Sequence, residues 1–320
     1  MSRIRLSLII LLALILLAIA GPKVNIDTSW EDVQIPQDVE SWLETSEASA
    51  QNLRPELHKE IIWADSTHRR TKYSVVYLHG FSSSRHETNP FADSIAAALH
   101  ANLFYTRLSG HGQDGEAMGK ATAHEWIQDT VESIRIGEAI GSKVILVGTS
   151  TGVTLAAWAS LEPKLQSNLV AQVWVSPNFG PKDERSKMLL WPWGRQLMQV
   201  VQGDTYSYTT QNELHAAANT QEFGSDVLLE MMGLVDTVQK LDFSGLKTPV
   251  FMVYSPTDQV INHDITLRLL DEMDPALVDT MVVLRALDVN NHVIVGEALG
   301  PENTMPVAHR AIDFLQGRLN

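Results

Sequence analysis

Gly148-Thr149-Ser150-Thr151-Gly152 sets a serine between two glycines. It directly follows the apolar run Val144 to Val147 and directly precedes the apolar stretch Val153 to Leu161. A strand that turns sharply into a helix with Ser at the tip exposes the hydroxyl above the sheet edge, and the helix N-terminus beneath it favours negative charge. Gly two residues to either side keeps Cβ atoms out of a turn where backbones crowd. Ser is a weak nucleophile at its own pKa, so this turn can do acyl chemistry only with a base and a group that orients the base. The pentapeptide alone arises by chance in about one chain in ten of this length, and its bland reading is a Gly-rich turn with an incidental Ser. Its seat between a strand and a helix is what gives it weight.

Alternating strands and helices bind ligands beyond the C-terminal edge of the strands, so the partners of Ser150 are expected just past later strands. Asp258 lies four residues after Tyr254, in Ser255-Pro256-Thr257-Asp258-Gln259, and His292 lies in Asn290-Asn291-His292, after Val282 to Ala286. The chain has eleven His, so one in the right loop is not decisive, and a surface or loop-capping His is the plain alternative. Asp264 is a local rival of Asp258, and Asp288 is also within reach of His292. Asp242 precedes its strand and falls at the wrong end. His79 and His111 sit in turns and read as loop braces.

The elements that must hold these residues follow from hydrophobic patterning. Ile61 to Trp63, Val75 to Leu78, Leu103 to Leu108, Val144 to Val147, Leu169 to Val175, Pro249 to Tyr254 and Val282 to Ala286 read as strands, several of them continuous apolar runs suited to burial on both faces. Between them, helices are predicted at Phe91 to Leu99, from an Asn89 N-cap and Pro90 at the first helical position, and after the capping box Thr122-Ala123-His124-Glu125. Further helices are predicted at Val153 to Leu161, Ile265 to Met273 and Val307 to Leu315. This rhythm gives an α/β class with a mostly parallel sheet and helices on both faces. It breaks between about 177 and 246, where Pro, Gly, Trp and Met cluster without a clear strand, and that segment reads as a cap inserted over the sheet.

With these residues in place the chain from about 60 to 320 resembles the α/β-hydrolase superfamily, in its serine carboxylesterase and monoacylglycerol-lipase-like branch. The order Ser150, Asp258, His292 is that of the family's triad. Two loops add to the likeness: His79-Gly80-Phe81 after Val75 to Leu78, and Leu108-Ser109-Gly110-His111-Gly112, which is similar to an L-P-G-H-G run with Ser109 in place of Pro. Val153 stands where many relatives have another Gly. The resemblance implies the α/β-hydrolase fold with a helical cap, and an oxyanion hole made by the backbone N–H groups of Phe81 and Thr151. Two such donors are worth roughly 3 kcal/mol each of barrier. It implies hydrolysis of short- to medium-chain acyl esters or monoacylglycerols through an acyl-enzyme, with no cofactor. The same three residues also serve amide, thioester or carbon–carbon hydrolysis and acyl transfer, and a noncatalytic lipid or peptide binder on this scaffold is the remote alternative.

Other features bound the reading. Gly110-His111-Gly112-Gln113-Asp114-Gly115 matches a dinucleotide fingerprint, but the following helix is expected only near Thr122 and no acid ends a second strand, so no nucleotide is expected. No metal-ligand spacing is present. Met188 to Trp193, Met198, Leu228, Leu229, Met231, Met232 and Leu234 of the cap pack mostly on the fold, and at least two are expected to line an acyl pocket. The apolar character of that pocket points to an uncharged, partly hydrophobic substrate.

The 320 residues carry 24 basic and 38 acidic side chains, a formal charge of −14, which excludes a nonspecific nucleic-acid partner. With no Cys there is neither a disulfide framework nor a thiolate nucleophile. Arg3 and Arg5 precede an apolar run from Leu6 to Ala20 that ends in Ala18-Ile19-Ala20, a pattern of a signal peptide or an uncleaved signal anchor over residues 1–20. Either reading places the rest of the chain outside the cytoplasm, with a membrane tether if the segment stays. Residues 21–59 form an acid-rich N-terminal extension. In it Val39, Trp42 and Leu43 suit either a short docked helix or one turn within a solvated linker.

Overall fold

The computed structural model describes residues 7, 12, 16, 17 and 19–319. The predicted export or anchor segment lies largely outside the described residues. Among the described residues no helix is long and apolar enough to cross a membrane.

A seven-stranded sheet forms the centre. Its strands are β1 (Glu60–Ile62), β2 (Thr71–Leu78), β3 (Asn102–Tyr105), β4 (Gly141–Thr149), β5 (Leu169–Val175), β8 (Val250–Tyr254) and β9 (Val278–Val282), in the order β1-β3-β2-β4-β5-β8-β9. β1 pairs antiparallel with β3, and every other pair is parallel. Successive side chains of a strand face opposite ways, and here both faces are buried. Val144 and Leu146 of β4 enter one core with Trp126, Val131 and Leu155, whereas Ile145 and Val147 enter the other with Phe91, Ile95 and Leu315. That is why the central strands are unbroken apolar runs.

Helices cover both faces. In chain order they begin with α1 (Val39–Glu47), α2 (Phe91–Ala98), α3 (Gly115–Lys120), α4 (Ala123–Ile140) and α5 (Thr151–Leu161). The capping box is present at α4: the Thr122 side chain accepts the Glu125 N–H, and the Glu125 carboxylate accepts the Thr122 N–H. Between β5 and β8 the chain leaves the sheet as a cap. It contains α6 (Gly194–Val201), α7 (Glu213–Ala218), α8 (Val227–Val238) and a ribbon of β6 (Thr205–Ser207) with β7 (Glu222–Gly224). After β8 come α9 (His263–Leu270) and the long α10 (Pro301–Leu319).

Several expectations need correction. The last strand is Val278–Val282 rather than 282–286. As an edge strand only half covered, it carries the polar pair Asp279 and Thr280 at its centre, while the apolar run beyond it leaves Leu284 exposed. α2 begins at Phe91 with Pro90 itself as the cap residue, and Asn89 instead accepts a hydrogen bond from the Tyr105 hydroxyl. The cap holds the β6–β7 ribbon where no strand was expected. A short helix, α3, starts at Gly115, ahead of the predicted start near Thr122. The glycines of that run serve packing: a Cβ on Gly115 would lie 2.1 Å from Glu222 O, and one on Gly119 would lie 2.6 Å from Gly224 N. The backbone they admit is the cap ribbon.

The N-terminal extension docks through α1, the more structured of the two readings. Val39 and Leu43 are buried, and Asp38 caps the helix by accepting the Ser41 N–H. At its end Glu47 forms a bidentate ion pair with Arg107 at 2.7 and 2.8 Å, both side chains being buried. Lys59 pairs with Glu132 nearby.

Candidate active site

Ser150 sits at the junction of β4 and α5 with φ +53° and ψ −118°, a conformation that a residue with a Cβ adopts only under constraint. Its N–H donates to Val175 O at 2.9 Å, tying the turn to the neighbouring strand. The flanking glycines are sterically required. A Cβ on Gly152 would lie 2.0 Å from Leu78 O, and one on Gly148 would lie 2.9 Å from the backbone of Gly152. The turn is therefore wedged between β2 and its own helix.

Asp258 follows β8 and is fully buried. One carboxylate oxygen accepts the N–H groups of Val260 and Ile261, at 2.7 and 3.0 Å. The other receives His292 Nδ1 at 2.8 Å, and His292 Nε2 lies 2.9 Å from Ser150 Oγ. Since Nδ1 faces a carboxylate it carries the hydrogen, which leaves Nε2 free to take the Ser150 proton. Burial alone pulls the His292 pKa down. The charge and hydrogen bond of Asp258, with further charge from Asp288 and Glu87, outweigh it and leave the imidazole above its ordinary 6.5.

The rival acids fall elsewhere. Asp288 does not meet the imidazole; it accepts the backbone N–H groups of Asn290, His292 and Val293 and so braces the loop. Those bonds oppose the upward pull of burial and hold its pKa below the usual carboxylate value. Asp264 is at the start of α9 beside His263, and Asp242 caps an exposed turn through the Ser244 N–H. His79 accepts the Leu108 N–H and donates to Gly80 O, and burial lowers its pKa to about 4. His111 accepts the Ser82 N–H and donates to Ser109 O, and burial again favours the neutral ring. Both are braces rather than bases. Among the described residues no group of three or more His, Asp or Glu side chains could hold a metal ion.

Ser150 and His292 open into a cavity of about 370 Å³ that Phe81 and Thr151 also line. The amide hydrogens of Phe81 and Thr151 have no partner among the described residues. The Phe81 ring is fixed by edge contacts with Trp126 and Phe223, at 5.9 and 5.5 Å between centroids. Two donors beside a serine with its imidazole can stabilise an oxyanion while the base removes the hydroxyl proton, which is acyl-transfer chemistry. From the apolar cap set, Leu228 and Met231 line the cavity. Leu229, Met232 and Leu234 are buried in the fold, and Trp191 and Trp193 lie on the surface.

The cavity also holds polar residues that sequence reasoning missed. Asn178 donates through its own N–H to Ser150 O and through its side chain to Thr151 Oγ1, at 3.3 and 3.1 Å. Glu87, Tyr208, Gln211 and His215 reach in from loops and cap. Glu87 is buried near the nucleophile: a Cβ on Gly80 would be 3.4 Å from Ser150 Cβ and 3.9 Å from a Glu87 carboxyl oxygen. Burial pushes its pKa up. None of these residues sits in a motif, and only the nearness of Glu87 to His79-Gly80-Phe81 was a signal.

Residues 69–285 match the Hydrolase_4 family, described as serine aminopeptidase, S33. A thermostable monoacylglycerol lipase from Bacillus sp. (strain H-257) is 30% identical over 84 residues, 26% of this chain. That stretch spans only 33% of the relative's length. Among solved structures, one reported for LipS and LipT, two metagenome-derived lipolytic enzymes, superposes with a TM-score of 0.67 at 15% identity, covering 83% of this chain and 99% of that one. A Paleococcus ferrophilus monoacylglycerol lipase gives 0.61 at 14%, over 81% and 99%. A soluble variant of monoglyceride lipase from Saccharomyces cerevisiae, bound to a substrate analogue, gives 0.62 at 10%, over 82% and 91%. At these identities the structures share the α/β-hydrolase fold.

Proposed function

The chain belongs to the Hydrolase_4 family, and from that premise we propose that it is a serine hydrolase of neutral carboxylic esters. The observation that carries the proposal is the linear relay Ser150 Oγ, His292 Nε2, His292 Nδ1, Asp258, with contacts of 2.9 and 2.8 Å. In this reading Ser150 attacks the ester carbonyl as His292 takes its proton. Asp258 holds the imidazole in the right tautomer and stabilises the imidazolium. The N–H groups of Phe81 and Thr151 receive the oxyanion. The imidazolium then protonates the leaving alcohol, and water, activated by the same His, releases the acid from the acyl-enzyme.

The cavity supports the choice of substrate. None of its lining residues is Lys or Arg, while Glu87 and Asp288 are among them, so an anionic substrate meets no counter-charge. Leu228, Met231 and Phe223 offer apolar surface to an acyl chain of short to medium length, and a monoacylglycerol fits the same description. The residues 1–20 support export to an extracytoplasmic compartment, with or without a retained membrane anchor.

The test is a panel of nitrophenyl esters of increasing acyl length, run on wild type and Ser150→Ala. Expected are turnover by wild type with a preference set by acyl length, and no turnover above background in the variant with its fold intact. Equal activity in the two proteins rules the proposal out. The family's description as an aminopeptidase favours amide hydrolysis as a second reading. Amino-acid nitroanilides in the same panel separate the two: cleavage of these and not of the esters selects the amide.

A further inference from the structure

The cap strip from Tyr208 to Thr220 reaches both loops that carry the proposed machinery, and it does so through polar bonds. The first loop contains Ser82, the residue after Phe81, at φ +59°. Each of its polar groups is engaged. Its N–H donates to His111 Nε2 at 3.0 Å, its carbonyl accepts the Thr220 N–H at 2.8 Å, and its Oγ is 2.9 Å from the Tyr208 hydroxyl. The Tyr208 hydroxyl donates in turn to Asn219 Oδ1 at 3.2 Å, and Asn219 Nδ2 donates to Glu87 at 3.1 Å. A serine in the left-handed region persists only where its surroundings over-determine it. Here two of the three constraints come from the cap.

The second loop carries His292. Gln211 Nε2 donates to Asp288 at 2.6 Å, and Gln211 Oε1 accepts the Val289 N–H at 3.0 Å. Asn212 adds a bond to Ala298 O at 2.7 Å. The same Asp288 carboxylate receives the backbone N–H of His292. A single amide side chain of the cap thus sits one bond away from the brace of the proposed base.

We propose that Tyr208 and Gln211 are positioning residues: Tyr208, through Ser82, fixes the peptide that carries the Phe81 N–H, and Gln211, through Asp288, fixes the loop that carries His292. The cap then sets the catalytic geometry as well as covering the substrate. Errors well below 1 Å in donor placement cost rate, because the oxyanion site works only when preorganised. This inference rests on the serine-nucleophile reading above.

The experiment compares Ser82→Ala, Tyr208→Phe, their double variant, Gln211→Ala and Ser150→Ala with wild type on nitrophenyl acetate, whose acyl group is too small to depend on the cap for binding. Tyr208→Phe keeps the ring and removes only the hydroxyl. Expected is a fall in kcat of about five- to tenfold for Ser82→Ala, the size of one lost hydrogen bond, and a fall at least as large for Tyr208→Phe, which also loses the bond to Asn219, with KM nearly unchanged. The double variant falls no further than the weaker single, because both remove the same bond. Gln211→Ala falls similarly, and Gln211→Glu, which sets a second carboxylate against Asp288, falls further. Wild-type kcat in Tyr208→Phe and Gln211→Ala overturns the proposal. So do losses in Ser82→Ala and Tyr208→Phe that multiply, since Tyr208 would then act by a route other than Ser82, through Asn219 or on the substrate directly. Turnover that survives in Ser150→Ala refutes the underlying reading instead, so the two failures are distinguishable.

Discussion

The turn that carries Ser150 and the cap strip from Tyr208 to Thr220 line the same cavity, but different physics holds them. The turn is fixed by exclusion. Gly148 and Gly152 let three backbones meet at distances that no other residue would permit, and the strained φ of Ser150 follows. The cap strip is fixed by hydrogen bonds between side chains far apart in sequence, such as Ser82 with Tyr208 and Gln211 with Asp288. Steric constraints fail all at once, because the backbone has nowhere to move. Hydrogen-bond constraints fail gradually, because each contributes about 1 kcal/mol and its neighbours remain. The proposed chemistry is thus built on a rigid turn and tuned by a softer frame.

The sharpest way to probe the rigid side is Asp258→Asn. The amide keeps the shape but presents a donor to Nδ1, which favours the wrong imidazole tautomer. The expected loss in kcat is roughly 10⁴-fold, the size of such a change in a serine triad. The sign of the pH effect also follows. Asp258 raises the His292 pKa, so its removal lowers it, and the acid limb of the residual kcat/KM profile moves to lower pH. A profile that stays in place would mean that another group sets the limb.

A smaller effect is expected from the frame on the N-terminal side. Glu47→Gln leaves the buried Arg107 guanidinium without its carboxylate, which costs about 3–5 kcal/mol of stability, read as a lower urea midpoint. Arg107 also donates to His111 O, next to the ring that accepts the Ser82 N–H, so some rate loss accompanies the destabilisation. In wild type, burial raises the Glu47 pKa but the Arg107 bonds and charge outweigh it, leaving it below 4.5. The stabilisation is therefore present above about pH 4.5 and fades as pH falls through the depressed native value. An unchanged midpoint at pH 7 would show that the extension is a passenger.

The smallest effect belongs to the pocket wall. Met231→Ala is expected to leave the acetyl ester unaffected and to raise KM several-fold for longer acyl chains, about 1–3 kcal/mol at most for a side chain that packs on the ligand. An equal change for all chain lengths would place Met231 in the frame rather than in the acyl pocket.

What could be read from the residues divides along the same line. The central strands were legible because burial on both faces leaves unbroken apolar runs such as Val144 to Val147. The serine turn was legible because its steric demand is written in adjacent glycines. Asp258 and His292 were legible because parallel strands deliver their following loops to one edge. The last strand was misplaced by four residues, since β9 is an edge strand whose adjacent Asp279 and Thr280 interrupt any hydrophobic run. Glu87, Tyr208, Gln211 and Asn219 escaped notice because their roles arise from contacts more than ten residues apart, and polar side chains in loops are common everywhere. The Trp191 and Trp193 cluster drew attention for its composition, yet it lies at the surface, 57% and 38% exposed, away from the cavity.

The central claim is that Ser150 is the one nucleophile of this cavity. It is tested most directly by labelling the protein with an organophosphate ester and mapping the adduct by peptide mass spectrometry, while ester turnover is followed in the same sample. The account predicts one adduct per chain, on the peptide that contains Ser150, with turnover lost in proportion to labelling and no adduct in Ser150→Ala. An adduct on another residue that removes activity, or turnover that persists after Ser150 is fully labelled, would contradict it.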